Sequence, residues 1–463
     1  MTLWESFTPE LMTDLYEFTM AESYFREGLT GEAVFSLFIR SYPAQRSFFV
    51  SAGVEHLLDL IPRIRFGSDA IDYLASLGKF SRPFLDYLRT FRFTGTVRAI
   101  PEGRLFFTQE PVIEVKAPII EAQLLETLII NVIQLETLLT GKALRCVHAA
   151  GGRGLVDFSM RRAQGIEAAL KAARAAYIAG FLGTSNVLAG KIYGIPVFGT
   201  MAHSYVTSFP REMDAFLAFA RAYPESTLLL IDTYDTIRGA RKAIEVARLL
   251  AAEGRTAEGR SLKGVRLDSG DLVSLSREVR RLFVEAGFPD VKIMVSGSLD
   301  EFSLKQLLDS GAEIDLFAVG TKFGVSADAP YLDIAYKLVA YEGRPVLKLS
   351  TGKKTWVGEK QVFRYYDGDG RMASDILCLR DEPPRAPGNP LLDVVIRGGE
   401  PARPMESLSA IRDRLAREWT SLPDPYRDIR PTATYPVTIS EALLRLEEET
   451  AQTRRRDELG EKD

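Results

Sequence analysis

The sequence predicts an α/β protein whose central part is a parallel α/β barrel. Three observations lead there. First, between about residues 150 and 340, short apolar runs recur, each followed by a loop of small or polar residues, and several then by a helical stretch. Strand–loop–helix repetition implies parallel strands, because a parallel neighbour needs a crossover and a helix is the usual one. Second, six such runs in one stretch favour a closed barrel over an open sheet. Third, 463 residues exceed one ordinary domain and suit a barrel of roughly 200–250 residues with appended structure, and 46% hydrophobic residues supply a large core. The expected boundaries are an N-terminal α+β segment over 1–145, the barrel over 146–340, and a C-terminal segment over 341–463.

In chain order, Glu32–Arg40 alternates and is rich in Phe, Val and Ile, as strands are. Val97–Ile100 and Val112–Val115 also read as strands, with a turn at Pro101–Gly103 between them. Ile120–Leu139 carries apolar residues at helical spacing, and Gly141 is the expected stop. The barrel runs are Gly154–Phe158, Val197–Phe198, Thr227–Ile231, Val265–Leu267, Val291–Val295 and Asp315–Val319. Helices are expected at Ile166–Phe181, Arg238–Ala252 and Leu272–Ala286. Beyond 340 the chain reads as turn-rich, with a proline-rich loop at Arg380–Pro390, and the tail after Thr438 reads as a charged amphipathic helix.

Net charge is −4, so general attachment to nucleic acid or anionic membrane is not expected. Two cysteines make neither a disulfide framework nor a zinc cluster. The N-terminus has Glu5, Glu10 and Asp14 where a signal peptide would be basic and then apolar. No run of about 18 apolar residues stands out, so no membrane span is expected. The expectation is a soluble cytoplasmic enzyme or binding protein.

Barrel chemistry sits in the loops after the strands, and here those loops are loaded. Asp157, Phe158, Arg161 and Arg162 follow the first run, and Gly199-Thr200-Met201-Ala202-His203-Ser204 the second. Asp232, Tyr234 and Asp235 follow the third; Arg266, Asp268, Ser269, Gly270 and Asp271 surround the fourth. Ser296-Gly297-Ser298 and Gly320-Thr321 close the set. The last two loops have small residues that let backbone N–H groups approach an anion, and hydroxyls that add donors; ordinary tight turns are the alternative. Asp232 and Asp268 suit magnesium or ribose hydroxyls, whereas Asp271, before a helical stretch, reads as a helix cap. Of the three histidines, His56 lies in a helical apolar pattern and reads as structural, His148 carries no signal, and His203 sits in a post-strand loop.

Taken in order, several segments resemble the motif series of the nicotinate phosphoribosyltransferases. They are Thr13-Asp14-Leu15-Tyr16, Arg161-Arg162-Ala163-Gln164-Gly165, Gly183-Thr184-Ser185-Asn186, the His203 loop, Arg266-Leu267-Asp268-Ser269-Gly270-Asp271, Ser296-Gly297 and Gly320-Thr321, with Tyr336-Lys337-Leu338 after the barrel. The resemblance implies an irregular α/β barrel of the type II phosphoribosyltransferase kind, with an α+β domain built from the N- and C-terminal segments. It implies transfer of phosphoribose from phosphoribosyl pyrophosphate to nicotinate, with Mg²⁺ as cofactor and ATP as co-substrate.

The same resemblance implies residue roles. His203 is phosphorylated by ATP, and Asp232 and Asp268 act with it and hold Mg²⁺. Phe158 and Arg266 sandwich the pyridine ring, Tyr16 closes it, and Ser185 faces the carboxylate. Arg40, Arg161, Thr200, Ser204, Ser296, Gly297, Gly320 and Thr321 bind the phosphoribosyl and pyrophosphate groups. Tyr16 comes from a second subunit, so a homodimer with shared sites is expected. Related nicotinamide-using enzymes carry Asp where this chain has Ser185, and a carboxylate there would repel nicotinate. Two positions depart from the family pattern: Ser159 replaces the usual Gly, and Lys322-Phe323-Gly324 is not the common continuation. Rival readings are a nicotinamide phosphoribosyltransferase, a non-catalytic phosphoribosyl-ligand sensor, and a quinolinate phosphoribosyltransferase.

Overall fold

The structure, a computed structural model, describes residues 9–253, 262–349, 355–384 and 387–460. Glu5 lies outside them. The chain divides into two compact units: 142–328, and a second built from 1–141 together with 329–463.

The first unit holds a six-stranded parallel sheet. Its strands are β1 (Gly154–Asp157), β2 (Gly183–Thr184), β3 (Leu228–Leu230), β4 (Gly264–Leu267), β5 (Lys292–Val295) and β6 (Leu316–Val319). Their hydrogen-bonded order is β2-β1-β6-β5-β4-β3. The last strand therefore pairs with the first, Leu316 opposite Gly154 through Val319 opposite Asp157. Thr184 adds a single parallel bridge to Val197. This is the circular order of a barrel with one seam left open: among the described residues no ladder joins Val197 to β3. A cavity of about 650 Å³ is lined by Val197, Phe198 and Leu228 from the two sides of that seam, and by Val156, Met294 and Leu316. Barrels usually fill this space with layered side chains; here Val156, Met294 and Ala318 make only a small buried cluster.

The strand missing from the expected set is β2. It has two residues, too few to show any alternation, and its Gly183 is required because a Cβ there would stand 2.1 Å from the Pro196 carbonyl oxygen. The helices Ile166–Ala179, Thr236–Ala252 and Leu272–Glu285 form where apolar periodicity places them. Asp271 caps the last of these, accepting from the backbone N–H groups of Val273 and Ser274, which satisfies donors that would otherwise be orphaned.

The second unit is α+β. Its main sheet is antiparallel, with Ile334–Tyr341, Glu32–Ile39, Pro111–Pro118, Thr96–Ala99 and Asp393–Arg397 as successive neighbours. Because Ile334–Tyr341 pairs along its length with Glu32–Ile39, the C-terminal contribution begins before 341, and the unit boundaries fall at 141 and 329 rather than at 145 and 341. The segment beyond 340 is more ordered than its turn-rich composition implies. Lys360–Tyr366 and Met372–Leu379 pair as a hairpin, and Leu408–Ser421 is a helix. The expected loop at Arg380–Pro390 ends in a two-residue strand, Asn389–Pro390, and its residues 385 and 386 lie outside the described set. The hairpin is hard to read because it buries charge: Arg364 is fully enclosed and pairs with Asp375 at 2.6 Å and Glu418 at 2.7 Å. The charged tail is helical over Glu441–Leu459.

One further expectation is corrected. The helix reaching Gly141 does not stop there but continues to Ala149. The glycine serves packing: a Cβ on it would stand 3.0 Å from Arg46 Nη1, which donates to the Leu138 carbonyl at 2.9 Å. The stretch Ile119–Ala149 is also long and apolar enough, by length and composition, to cross a membrane. Its apolar 18-residue window is 67% buried within the protein, as in a core helix.

Candidate active site

The C-terminal ends of five of the six strands, all but β3, and the Val197 segment converge on a second cavity of about 580 Å³. Phe158 leaves β1, Ser185 leaves β2, Thr200 and His203 follow Val197, Arg266 and Asp268 lie at the end of β4, Ser296 and Gly297 follow β5, and Gly320 and Thr321 follow β6; all of them line it. Residues just past a barrel strand face its mouth, so six loops meet at this one.

The lining carries three guanidinium groups, Arg161, Arg162 and Arg266, against one carboxylate, Asp268. That balance suits an anion. Arg266 is partly buried, and burial holds its pKa below the usual arginine range. It donates to Thr200 Oγ1, its Nε is buried without a hydrogen-bond partner, and its guanidinium carbon lies 6.0 Å from the centre of the Phe158 ring. A buried donor left unpaired is costly in an isolated protein and points to a group supplied from outside.

The loops after β3, β4 and β5 are tied together by carboxylates. Asp232 Oδ2 accepts from the Asp268 backbone N–H at 2.9 Å and from Ser269 Oγ at 2.8 Å. Asp268 Oδ1 accepts from Ser296 Oγ. Asp232 Oδ1 is buried without a partner. Gly297 sits at φ +97°, and a Cβ there would stand 2.3 Å from the Asp268 carbonyl oxygen, so only glycine allows these two loops to touch. His203 is the first residue of a short helix and half-buried; its Nδ1 lies 3.1 Å from Thr233 Oγ1.

Models of two families, described as the nicotinate phosphoribosyltransferase N-terminal domain and the nicotinate phosphoribosyltransferase family, match residues 11–134 and 154–367. The chain belongs to the nicotinate phosphoribosyltransferase family. It is 45% identical over 436 residues to a nicotinate phosphoribosyltransferase of Mycobacterium tuberculosis, covering 94% of this chain and 92% of that one. It is 39% identical to a nicotinate phosphoribosyltransferase of Bacillus subtilis, over 80% of this chain and 76% of the relative. Its structure resembles that of human nicotinic acid phosphoribosyltransferase with a TM-score of 0.85 at 31% identity, covering 95% of this chain and all (100%) of that one.

Within this nicotinate phosphoribosyltransferase the expected site residues divide into three groups. Phe158, Arg161, Ser185, Thr200, His203, Arg266, Asp268, Ser296, Gly297, Gly320 and Thr321 line the one cavity. Asp232 stands just behind it through its bonds to the Asp268 loop, and Ser204 is exposed one position into the His203 helix, outside the lining. Tyr16 and Arg40 belong to the other compact unit. There Tyr16 lies on the helix Leu15–Arg26 and is 46% exposed, and its phenol is pushed up by burial and by Glu126. Arg40 pairs with Asp333 at 3.1 Å.

The two departures from the family pattern fit each other. A Cβ on Gly324 would stand 2.6 Å from the Ser159 Cβ, so the added side chain at 159 occupies space that Gly324 leaves. Lys322 pairs with Asp300 at 2.8 Å. Residues given no role from sequence also reach the site: Thr233 beside His203, and Asp157 and Thr184 beneath the Phe158 and Ser185 loops. Asp157 is a strand-terminal aspartate like Asp232 and Asp268, and that position was the available signal.

Proposed function

We propose that this nicotinate phosphoribosyltransferase joins nicotinate to phosphoribosyl pyrophosphate in an ATP-coupled reaction, in a cytoplasmic homodimer. The observation that carries the reading is a single cavity in which Phe158, Ser185 and Arg266 stand beside His203, Asp268 and the two small-residue loops. Nicotinate nitrogen attacks C1 of the ribose, and pyrophosphate leaves with its bonding pair. Positive charge grows on the ribose and negative charge on the leaving group, so acceleration comes from positioning and fixed charge. Arg161, exposed and without a hydrogen-bond partner among the described residues, and the Ser296–Gly297 and Gly320–Thr321 loops serve the phosphates.

Phe158 and Arg266 take the pyridine ring between them. A ring in contact with both faces needs about 7 Å, twice a ~3.5 Å carbon contact, against the present 6.0 Å. Arg266 therefore swings out by about 1 Å on binding, and its unpaired Nε then meets the carboxylate. Asp232 and Asp268 would hold Mg²⁺: the orphaned Asp232 Oδ1 fits a cation ligand, and Mg²⁺ typically takes one or two carboxylates plus substrate oxygens. Bound there, it would neutralise charge on the departing pyrophosphate. His203 accepts the γ-phosphoryl group of ATP on its imidazole, releasing ADP, and Thr233 orients the ring.

The direct test is to incubate the protein with nicotinate, phosphoribosyl pyrophosphate, Mg²⁺ and ATP and to assay for nicotinate mononucleotide; no product means the reading is wrong. Ser185→Asp adds a carboxylate at the ring slot. Nicotinate kcat/KM should drop about 10- to 100-fold, the size of one repulsive buried contact, with nicotinamide less affected. Unchanged nicotinate kinetics would remove Ser185 from the carboxylate.

The dimer reading rests on Tyr16 and Arg40, which lie in a compact unit separate from the one that holds the cavity. If one subunit supplies them to its partner's cavity, mixing inactive Tyr16→Ala with inactive His203→Ala restores activity. Each mixed dimer then has one site with both lesions and one with neither, so about half of its sites work. Subunit exchange seen by tagged pull-down without recovered activity would refute sharing.

A further inference from the structure

Asp157 is fully enclosed, and among the described residues it has no ion pair. Its two carboxylate oxygens serve different loops. Oδ1 accepts from the Ser159 backbone N–H at 2.8 Å, on the Phe158 loop; Oδ2 accepts from Thr184 Oγ1 at 2.7 Å, on the Ser185 loop. Thr184 Oγ1 in turn accepts from the Asn186 N–H at 3.0 Å, and the Asp157 carbonyl accepts from the Ser185 N–H at 2.8 Å. Ser185 is thus gripped through its own N–H and that of the next residue, while its Oγ has no hydrogen-bond partner among the described residues.

Both neighbours of Asp157 present donors, and only a carboxylate offers two acceptors; an asparagine would turn an NH₂ toward one of them. A buried carboxylate without an ion pair is disfavoured by desolvation, and here the two donors offset part of that cost. Burial does push the Asp157 carboxyl up, and its two donors pull it back.

We propose that the Asp157–Thr184 hydrogen bond is a positioning device for substrate selection: it fixes Ser185 relative to Phe158, so that the Ser185 hydroxyl meets the ring substituent at one distance. This rests on the nicotinate reading of the cavity. Asp157 and Thr184 are positioning residues, since neither lines the cavity.

The test compares Thr184→Val, which keeps shape and removes the hydroxyl, Asp157→Asn, and the conservative Thr184→Ser. Nicotinate and nicotinamide kinetics, the KM for phosphoribosyl pyrophosphate and thermal melting are measured for each. Thr184→Val and Asp157→Asn should raise nicotinate KM about 10-fold, the scale of one buried hydrogen bond, and lower the nicotinate-to-nicotinamide preference. The KM for phosphoribosyl pyrophosphate should stay put, and Thr184→Ser should restore the wild-type values. Unchanged selectivity in folded variants overturns the proposal, as do equal shifts for both substrates. Unfolding of both Thr184→Val and Asp157→Asn assigns the pair to structure alone and overturns it too. If the wild-type protein does not use nicotinate, the underlying reading fails, an outcome distinct from any of these.

Discussion

Replacing His203 by Ala is expected to abolish an acid-labile, base-stable label transferred from γ-labelled ATP, together with the whole ATP-driven gain in turnover. His203 lines the cavity, and its Nδ1 contact with Thr233 sets the ring's orientation. Removing a nucleophile eliminates the covalent step itself, so the loss of label is complete. Transfer that does not depend on ATP should persist, because Phe158, Arg266 and the Ser296–Gly297 and Gly320–Thr321 loops are untouched. The measurement is protein-bound radioactivity after acid and base treatment, alongside turnover with and without ATP. Equal labelling of His203→Ala would falsify the phosphohistidine assignment while leaving nicotinate transfer in place.

Asp232→Asn and Asp268→Asn should each lower activity about 100-fold or more, the range for losing an electrostatic group at a reacting phosphate. Asn at 232 can still accept from the Asp268 N–H and Ser269 Oγ with its amide oxygen, so the loop stays tied. Its NH₂ then occupies the buried position of the unpartnered Oδ1, and a donor there repels a cation. The Mg²⁺ concentration for half-maximal rate should rise, and calorimetric titration of Mg²⁺ with phosphoribosyl pyrophosphate present should weaken in parallel, with melting temperature little changed. Normal activity at limiting Mg²⁺ in both variants would return these aspartates to a role in joining loops.

The parallel strands were legible from sequence because each is a short apolar run with a small-residue loop after it, and a strand buried on both faces needs that composition. The loop chemistry was legible for the same reason: the residues just past a barrel strand face the mouth, so Phe158, His203, Asp268 and Ser296 could be assembled from chain order alone. Asp271 was legible as a cap because capping is local. By contrast, β2 has only two residues, and Gly141 looks like a stop signal until Arg46 is seen against it. The hairpin Lys360–Leu379 hides its register because Arg364 and Asp375 are charged residues at buried positions, and only their mutual pairing makes that tolerable.

The sequence by itself determined the α/β class, the order of the strand loops and the residues that meet at their ends, since these depend on periodicity and chain direction. Only the tertiary structure decided which residues are joined across loops. The tie from Asp232 to Asp268, the contact of Thr233 with His203 and the grip of Asp157 on Thr184 link residues 27 to 36 positions apart. Hydrogen bonds at such separations leave no periodic trace. They exist because neighbouring parallel strands are one crossover apart, and a crossover of that length brings the two loops side by side.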